Sequence, residues 1–180
     1  MRRRIIPHLI GPRCARELRE RTGSSRKAVE AAICRLVRRG WARCVTPNAR
    51  QARLYQLSVL GFLLAEGAGF DVSRREHHAD LPLDLYAWVQ SGVYRRMVLK
   101  HLDRYLSPKQ LRVRVVGVVR MGASHVHHTL REFRGRGIVV LSEGLWSLTL
   151  VGERLREHQL EQASLPPQPF SPGPGSRHWP

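Results

Sequence analysis

Two stretches of this sequence share one pattern of apolar residues, KAVEAAICRLVRRGW at 27–41 and SHVHHTLREFRGRGI at 124–138. Setting Gly40 over Gly137 brings three apolar pairs into register, namely Val29 with Val126, Ile33 with Leu130, and Leu36 with Phe133. The spacing of four and then three residues places each set on one face of a helix, and a glycine suits the helix C-terminus. The sequence therefore predicts two copies of one amphipathic helix.

Each predicted helix is followed by two strand-like runs. In the first copy, WARCVT (41–46) and LYQLS (54–58) flank the polar connection PNARQAR. In the second copy, IVVLS (138–142) and LWSLTL (145–150) flank a tight turn around Glu143 and Gly144. Short runs rich in β-branched and aromatic residues on both sides of a turn predict a β-hairpin.

An apolar helical segment follows each predicted hairpin, VLGFLLAEG in the first copy and VGERLREHQL in the second. Gly61 and Gly152 occupy the same place in these two segments. A shared order of helix, hairpin and helix predicts an internal repeat, which fixes the architecture before any single motif is considered.

Upstream of the first long helix, RCARELRERTGSS predicts a short amphipathic helix with Ala15 and Leu18 inward. The Thr22-Gly23-Ser24 turn follows, and Ser24 or Ser25 can cap the next helix. In the second copy, VYRRMVLKHLDRYL (93–106) predicts one helix. The valine-rich VVGVVRMGAS then stands where a polar glycine turn is expected, so the boundary of the following helix stays open.

This order of helix, glycine turn, helix and hairpin resembles the winged helix-turn-helix superfamily of DNA-binding domains. RELRERTGSSRKAVEAAICRLVRRGW and the hairpin behind it carry the resemblance, which covers roughly residues 3–66 and 93–160. The resemblance implies a mainly helical α+β fold with small β-hairpins and tandem winged helix-turn-helix domains. We expect domain 1 at 1–66, a connector at 67–92, domain 2 at 93–162 and a disordered Pro/Gly-rich tail at 163–180.

The resemblance also implies which side chains meet DNA, because the second helix of the motif usually enters the major groove while the wing follows the backbone. In the first copy it selects the recognition-helix residues Ser24, Ser25, Arg26, Lys27, Glu30, Ala31, Arg35 and Arg38, with the wing residues Asn48, Arg50, Gln51 and Arg53. In the second copy it selects Arg120, Ser124, His127, His128 and Arg131. We expect the short acidic wing at Glu143 to stay off the DNA.

Charge supports a polyanionic partner. The chain has 31 Lys and Arg against 14 Asp and Glu, a formal net charge of +17. Residues 1–66 carry a net charge of +11, residues 67–92 carry −2, and residues 93–162 carry +7. Two basic blocks on either side of a mildly acidic stretch indicate two binding modules and a connector. For Arg35, Arg38 and Arg39 taken singly, a solvated helix face is an equally good explanation.

Several other functional classes find no support in the sequence. No P-loop, HExxH, GxSxG or paired-carboxylate pattern occurs, so we expect neither an enzyme nor a cofactor. The apolar stretches fall far short of the roughly 20 residues of a spanning helix, so we expect no membrane segment. The start MRRRIIPHLIGP lacks cleavage-type small residues, and we expect it in the mature protein.

Cysteine and histidine give no strong site signal either. Three cysteines form no CxxC pair, which favours reduced thiols in a cytoplasmic, nucleoid-associated protein. We expect Cys34 to be a small packing residue. Neighbouring histidines at 125, 127 and 128 cannot all point at one ion, so we expect no metal site.

Three functions remain open. The first is a sequence-specific transcriptional regulator that binds double-stranded DNA. The second is a replication initiator or partition protein of archaeal, plasmid or viral type, and the third is a winged-helix protein-interaction scaffold. The basic helix and wing count against the third. The oligomeric state stays open. One chain with two heads could cover two half-sites alone, whereas a strictly palindromic site would indicate a homodimer.

Overall fold

The structure is a computed structural model that describes residues 2–72 and 81–164 of the chain. Over these residues the protein is mainly helical with small antiparallel sheets, an α+β architecture. The described residues divide into two compact units, and the division falls between Ala87 and Trp88. We call them unit 1 and unit 2.

Unit 1 combines helices with a small sheet. Its elements in chain order are α1 (Arg2–Ile5), a 3₁₀ helix (Ile6–Leu9), β1 (Arg13–Cys14), α2 (Ala15–Thr22), α3 (Arg26–Arg38), β2 (Ala42–Cys44), β3 (Leu54–Leu57) and α4 (Val59–Gly67). The three strands pair antiparallel in the order β1-β3-β2. Strand β3 therefore joins the predicted hairpin to a strand that precedes α2.

The turn before α3 follows from its residues. Gly23 ends α2 with φ +63°, a left-handed conformation that glycine adopts without a steric penalty. Ser25 then caps α3 by accepting a hydrogen bond from the Ala28 backbone N–H at 3.3 Å. Val29, Ile33 and Leu36 are buried in the core of unit 1, which confirms the predicted apolar face.

Unit 2 has the same order of elements after its first helix. Its elements are α6 (Val93–His101), α7 (Pro108–Val116), α8 (Ala123–Gly135), β4 (Val139–Ser142), β5 (Leu145–Leu148) and α9 (Leu150–Ser164). Strands β4 and β5 form an antiparallel hairpin, as predicted. Glu143 and Gly144 both have positive φ, the geometry of a two-residue turn whose twist matches the strands.

The single helix predicted over 93–106 is wrong. Helix α6 ends at His101, because Leu102 leaves the helical conformation. Leu106 instead exchanges two backbone hydrogen bonds with Trp146, both 2.9 Å long. Ser107 then starts α7 through a capping box with Gln110, with proline at the first helical position.

The stretch expected to be a connector contains helix α5 (Leu83–Ser91). Its first half belongs to unit 1, where Tyr86 is fully buried. Its last residues belong to unit 2, where the guanidinium groups of Arg95 and Arg136 lie 3.9 and 4.1 Å from the Trp88 ring centroid. Residues 73–80 of the predicted connector lie outside the described residues.

Helix α9 extends into the stretch predicted as the tail. Helix α9 continues through Ser164, so residues 163 and 164 are helical. Residues 165–180, which the sequence predicts to be disordered, lie outside the described residues. The second strand of the second hairpin also ends earlier than predicted, because Leu150 begins α9.

The repeat that the sequence predicts is confirmed in atomic detail at the glycine that follows each hairpin. The Ser58 side chain donates to the Gly40 carbonyl and accepts from the Gly61 N–H, and the Ser58 N–H donates to the Trp41 carbonyl. In unit 2 the Thr149 side chain donates to the Gly137 carbonyl and accepts from the Gly152 N–H. The Thr149 N–H donates to the Ile138 carbonyl.

The repeat also extends further towards the N-terminus than the sequence pattern predicts. When Ile5 is aligned with Val98 and the same shift is kept along the chain, α1 and the 3₁₀ helix correspond to α6, and α2 corresponds to α7. The buried pairs are Ile5 with Val98, Ile6 with Leu99, Leu9 with Leu102, and Leu18 with Leu111. The capping residues match as well, Cys14 with Ser107 and Glu17 with Gln110. Helix α7, which the sequence did not resolve, is therefore the counterpart of α2.

Candidate nucleic-acid interface

Helix α3 presents its predicted binding residues on the side away from the core. Ser25, Arg26, Lys27, Glu30, Ala31, Arg35 and Arg38 are all exposed. Ser24 is half-buried, and its hydroxyl donates to the Thr22 carbonyl at 3.2 Å, so this side chain holds the turn. The structure thus brings the first set of predicted residues onto one helix surface.

Arg26 and Glu30 form an ion pair along this surface. The Arg26 Nε lies 2.8 Å from the Glu30 Oε1, one helical turn away. This hydrogen bond and the carboxylate charge raise the pKa of Arg26 above its usual range. An exposed pair of this kind contributes little to stability. The pair holds the Arg26 guanidinium along the surface of the helix. Because the pair is exposed, another acceptor could replace Glu30.

The wing of unit 1 is a loop at 45–53 fixed at its base. Thr46 is fully buried, and its hydroxyl accepts from the Leu54 backbone N–H at 2.8 Å. The Ala49 N–H donates to the Thr46 carbonyl at 3.1 Å, and the Arg53 Nε donates to the Ala49 carbonyl at 3.1 Å. These bonds leave the predicted wing residues on the surface, Asn48, Arg50, Gln51 and Arg53.

Tyr55 is a candidate that the sequence reasoning missed. It is half-buried on β3, opposite Cys44, and packs against the core of unit 1. Burial raises the pKa of its phenol, and the positive charge of Arg53 opposes part of this rise. Its strand pairing places it in the hairpin that supports the wing. The strand alternation Leu54-in, Tyr55-out could have indicated this position.

The expectation that Cys34 packs in the core is wrong, because Cys34 is exposed on α3. The core face of α3 is complete without it, since Val29, Ala32, Ile33 and Leu36 fill that face. A thiol one position past Ile33 turns away from the core. Cys14 is the buried cysteine, at the N-terminus of α2.

Helix α8 and the turn before it carry the corresponding surface of unit 2. Arg120, Ser124, His127, His128 and Arg131 are all exposed, as the resemblance implies. Its N-terminus differs from that of α3, because Gly122 offers no side-chain cap. The histidines have separate neighbours: the His125 ring lies 4.6 Å from the Tyr94 ring, and the His128 Nε2 lies 3.9 Å from the Glu132 Oε1.

The rest of the unit 2 surface is less suited to phosphates than that of unit 1. Val113, Val116 and Val118 are exposed along the end of α7 and the turn after it. Val140 and Leu141 are exposed on the short wing, whose tip is Glu143. The sequence reasoning missed two exposed basic residues, Lys109 and Arg112, because it did not resolve the helix that carries them.

In the part of the chain that the structure describes, no group of three His, Cys, Asp or Glu side chains could hold a metal ion. Within the same residues, no helix is long and apolar enough to cross a membrane. Comparisons with protein-family models, curated proteins and solved structures found no match to this chain. The function must therefore be inferred from the chain's own residues.

Proposed function

We propose that this protein binds double-stranded DNA sequence-specifically, through two winged helix-turn-helix domains, and acts as a transcriptional regulator in a cytoplasmic, nucleoid-associated setting. The role is one of binding rather than catalysis. Unit 1 corresponds to the first domain and unit 2 to the second.

One observation carries the proposal. In unit 1, a tight turn leads into a capped helix whose outward residues are exposed and basic, and a tethered basic loop lies at the end of the neighbouring hairpin. An α-helix fits the major groove of B-DNA, which is about 12 Å wide. A wing beside such a helix lies where the sugar-phosphate backbone or a minor groove passes.

The residues of α3 suit distinct kinds of contact. Arg26 would exchange its bond to Glu30 for a bidentate contact with the O6 and N7 of a guanine. The Ser25 hydroxyl and the Lys27 ammonium group would bind phosphates near the N-terminus of α3, where the helix dipole favours negative charge. Ala31 is small enough to approach a thymine methyl group. Arg50 and Arg53 would contact the backbone without sequence preference.

A second function is favoured for unit 2 by its surface. Exposed valines at 113, 116 and 118 and a wing with an acidic tip suit contact with a protein better than contact with phosphates. In that case unit 2 serves as a protein-interaction module beside a DNA-binding unit 1. A replication initiator or partition protein is the alternative role for the DNA-binding surface of unit 1, since it too needs only specific binding.

The proposal is tested by selection of bound duplexes from a random-sequence pool, followed by anisotropy titrations at several salt concentrations. We expect log K to fall with log salt by about 0.9 for each phosphate contact. A protein with no affinity at near-physiological salt would be a scaffold instead. Mapping of bound sites across the genome in cells then separates promoters from an origin of replication.

A further inference from the structure

One buried guanidinium of unit 1 forms no ion pair within 4.0 Å in the part of the chain that the structure describes. Arg13, on β1, is 4% exposed, and its Nε donates to the His8 carbonyl at 3.2 Å. Its Nη1 has no hydrogen-bond acceptor among the described residues, and the Nη2 of the half-buried Arg21 is also without one. A buried N–H without an acceptor is disfavoured, and a buried charge without a partner more so.

The carboxylate of Glu17, whose charge acts on both Arg13 and Arg21, is already engaged. One oxygen of Glu17 accepts from the Tyr86 hydroxyl at 2.6 Å, and the other accepts from the Cys14 backbone N–H at 2.8 Å. Within the described residues no carboxylate oxygen lies within 4.0 Å of Arg13 or Arg21. The cluster therefore contains two guanidinium groups and one carboxylate, Glu17, whose oxygens accept hydrogen bonds from other donors.

His8 adds to this group without neutralising it. Burial, and then the charges of Arg21 and Arg13, lower the pKa of His8 to about 4, so the ring is neutral near pH 7. Burial also lowers the pKa of Arg13 to about 10, which still leaves the guanidinium charged near pH 7. The two guanidinium groups and the imidazole lie close enough for their charges to interact.

The internal repeat supplies a matched comparison. The counterpart of Arg13 in unit 2 is Leu106, which makes the equivalent strand pairing and is buried. The counterpart of Arg21 is Arg114, which forms an ion pair with Asp103. Asp103 corresponds to Ile10 in unit 1. Glu17 in turn corresponds to Gln110, so each copy has one carboxylate in this region, at a different position. The fold therefore accepts a neutral arrangement at this place, and unit 1 departs from it by one added cation, Arg13.

We propose that unit 1 binds a small free oxyanion, a phosphate-like or carboxylate group, between Arg13 and Arg21 and beside His8. The anion would accept from the Arg13 Nη1 and the Arg21 Nη2 and balance the excess positive charge. This site lies at the junction of β1 and α2, the helix that precedes α3, and its occupancy is independent of whether α3 binds DNA.

The test is isothermal titration of the full-length protein with inorganic phosphate, sulfate or acetate, with chloride used to keep the ionic strength constant. We expect one saturable site per chain for at least one of the three anions. R21Q should bind at least about tenfold more weakly, because a charged donor is lost. R19Q removes the same charge from an exposed position on the same helix and should bind like wild type. Preference for acetate indicates a carboxylate ligand, and preference for phosphate or sulfate a tetrahedral one.

Two results would overturn the proposal. One is the lack of any saturable site in the wild-type protein, and the other is equal weakening in R19Q and R21Q, which indicates general attraction to a basic surface. If R21Q does not fold, the Nε–Hε NMR resonance of Arg13 in the wild-type protein decides. It must shift with the same saturation curve as the heat signal, and an unshifted resonance refutes the site. Loss of DNA binding would leave this result unaffected.

Discussion

Gly61 shows how one residue can fix the start of a helix against a hairpin. A Cβ at this position would lie 1.9 Å from the Trp41 carbonyl oxygen, and a Cβ at Gly152 would lie 2.2 Å from the Ile138 carbonyl oxygen. Both obstacles are backbone atoms that also accept hydrogen bonds from the adjacent Ser58 and Thr149. The same steric need thus explains why both copies have glycine here.

We predict that G61A lowers the free energy of unfolding of unit 1 by at least about 2 kcal/mol, since the backbone must move to admit the methyl group. G67A is the matched control on the same helix, because a Cβ there meets no atom within 4 Å. It should change stability by less than about 0.5 kcal/mol. Urea denaturation measures the free energy of unfolding of both variants. Equal effects would show that the backbone accommodates a Cβ at position 61 without loss of stability.

His8 makes a second residue-level prediction, about acid stability. Its pKa is about 4 in the folded chain and 6.5 when unperturbed, so between these values the unfolded chain binds a proton that the folded chain does not. Stability contributed by neutral His8 is therefore lost as pH falls through that window. H8Q has no titratable group at this position, so it should lose less stability than wild type on acidification. The difference should be about 1–2 kcal/mol, because solvent screens the partly accessible ring.

Denaturation of wild type and H8Q at pH 7 and pH 4.5 gives the comparison. H127Q removes an exposed histidine and serves as the control. If H8Q loses as much stability between these pH values as wild type does, the neutral form of His8 has no special role.

Arg26 is the residue on which base recognition should depend most. R26A should cost about 1–3 kcal/mol in binding to the selected site and should relax preference at one base pair. R19A removes an exposed arginine of α2 and should weaken all sequences alike. Selection with each variant distinguishes them. An unchanged consensus with R26A would mean that Arg26 contacts phosphate rather than a base.

At the scale of elements, the two wings differ in length and charge. The unit 1 wing carries Arg50 and Arg53 on a tethered loop, whereas the unit 2 wing is a two-residue turn that contains Glu143. R50A/R53A should weaken binding to every sequence alike and lower the salt slope by about two contacts. E143A should leave affinity unchanged or raise it slightly, because it removes a negative charge near phosphates. Anisotropy titrations over a salt series measure both, and an unchanged slope in R50A/R53A would place the wing off the DNA.

Most elements could be predicted from the sequence because their signals are local. Helices α3 and α8 have a strong apolar period with a glycine after each, and both hairpins have clear turn residues. Helices α6 and α7 could not be separated in the same way. Val98, Leu102 and Leu106 continue a helical spacing, and only the pairing of Leu106 with Trp146, which is distant in sequence, ends the helix. A long-range strand contact overrides the local period there.

The candidate site was predictable to a similar extent. Exposure of the outward residues of α3 and α8 follows directly from the helical period. Ser24 is half-buried because it lies in the turn before α3, where that period does not apply. The packing of Tyr55 against the core of unit 1 depends on how the hairpin folds onto the helices, which the spacing along the chain does not encode. The buried cluster around Arg13 likewise required the repeat to be aligned in three dimensions.

At the scale of the whole molecule, the excess positive charge is shared unequally between the two copies. Residues 1–66 carry a net charge of +11 and residues 93–162 carry +7. Unit 1 also has the capped helix and the basic wing, and unit 2 has exposed valines and an acidic turn. Unit 1 should therefore supply most of the affinity and most of the sequence preference.

Two matched double variants of the full-length chain test this division. R26A/R35A and R120A/R131A each remove two exposed arginines from the predicted DNA-facing surface of one unit. The first should weaken binding to the selected site by about a hundredfold, at 1–3 kcal/mol per contact. The second should weaken binding by less than about fivefold, because its surroundings attract phosphate less strongly. Footprints should shorten at one end with the second variant and disappear with the first. If R120A/R131A causes the larger loss, unit 2 is the main reading head. If the selected site is strictly palindromic, two copies of the chain bind together, since one chain with two different heads has no reason to prefer a two-fold symmetric sequence.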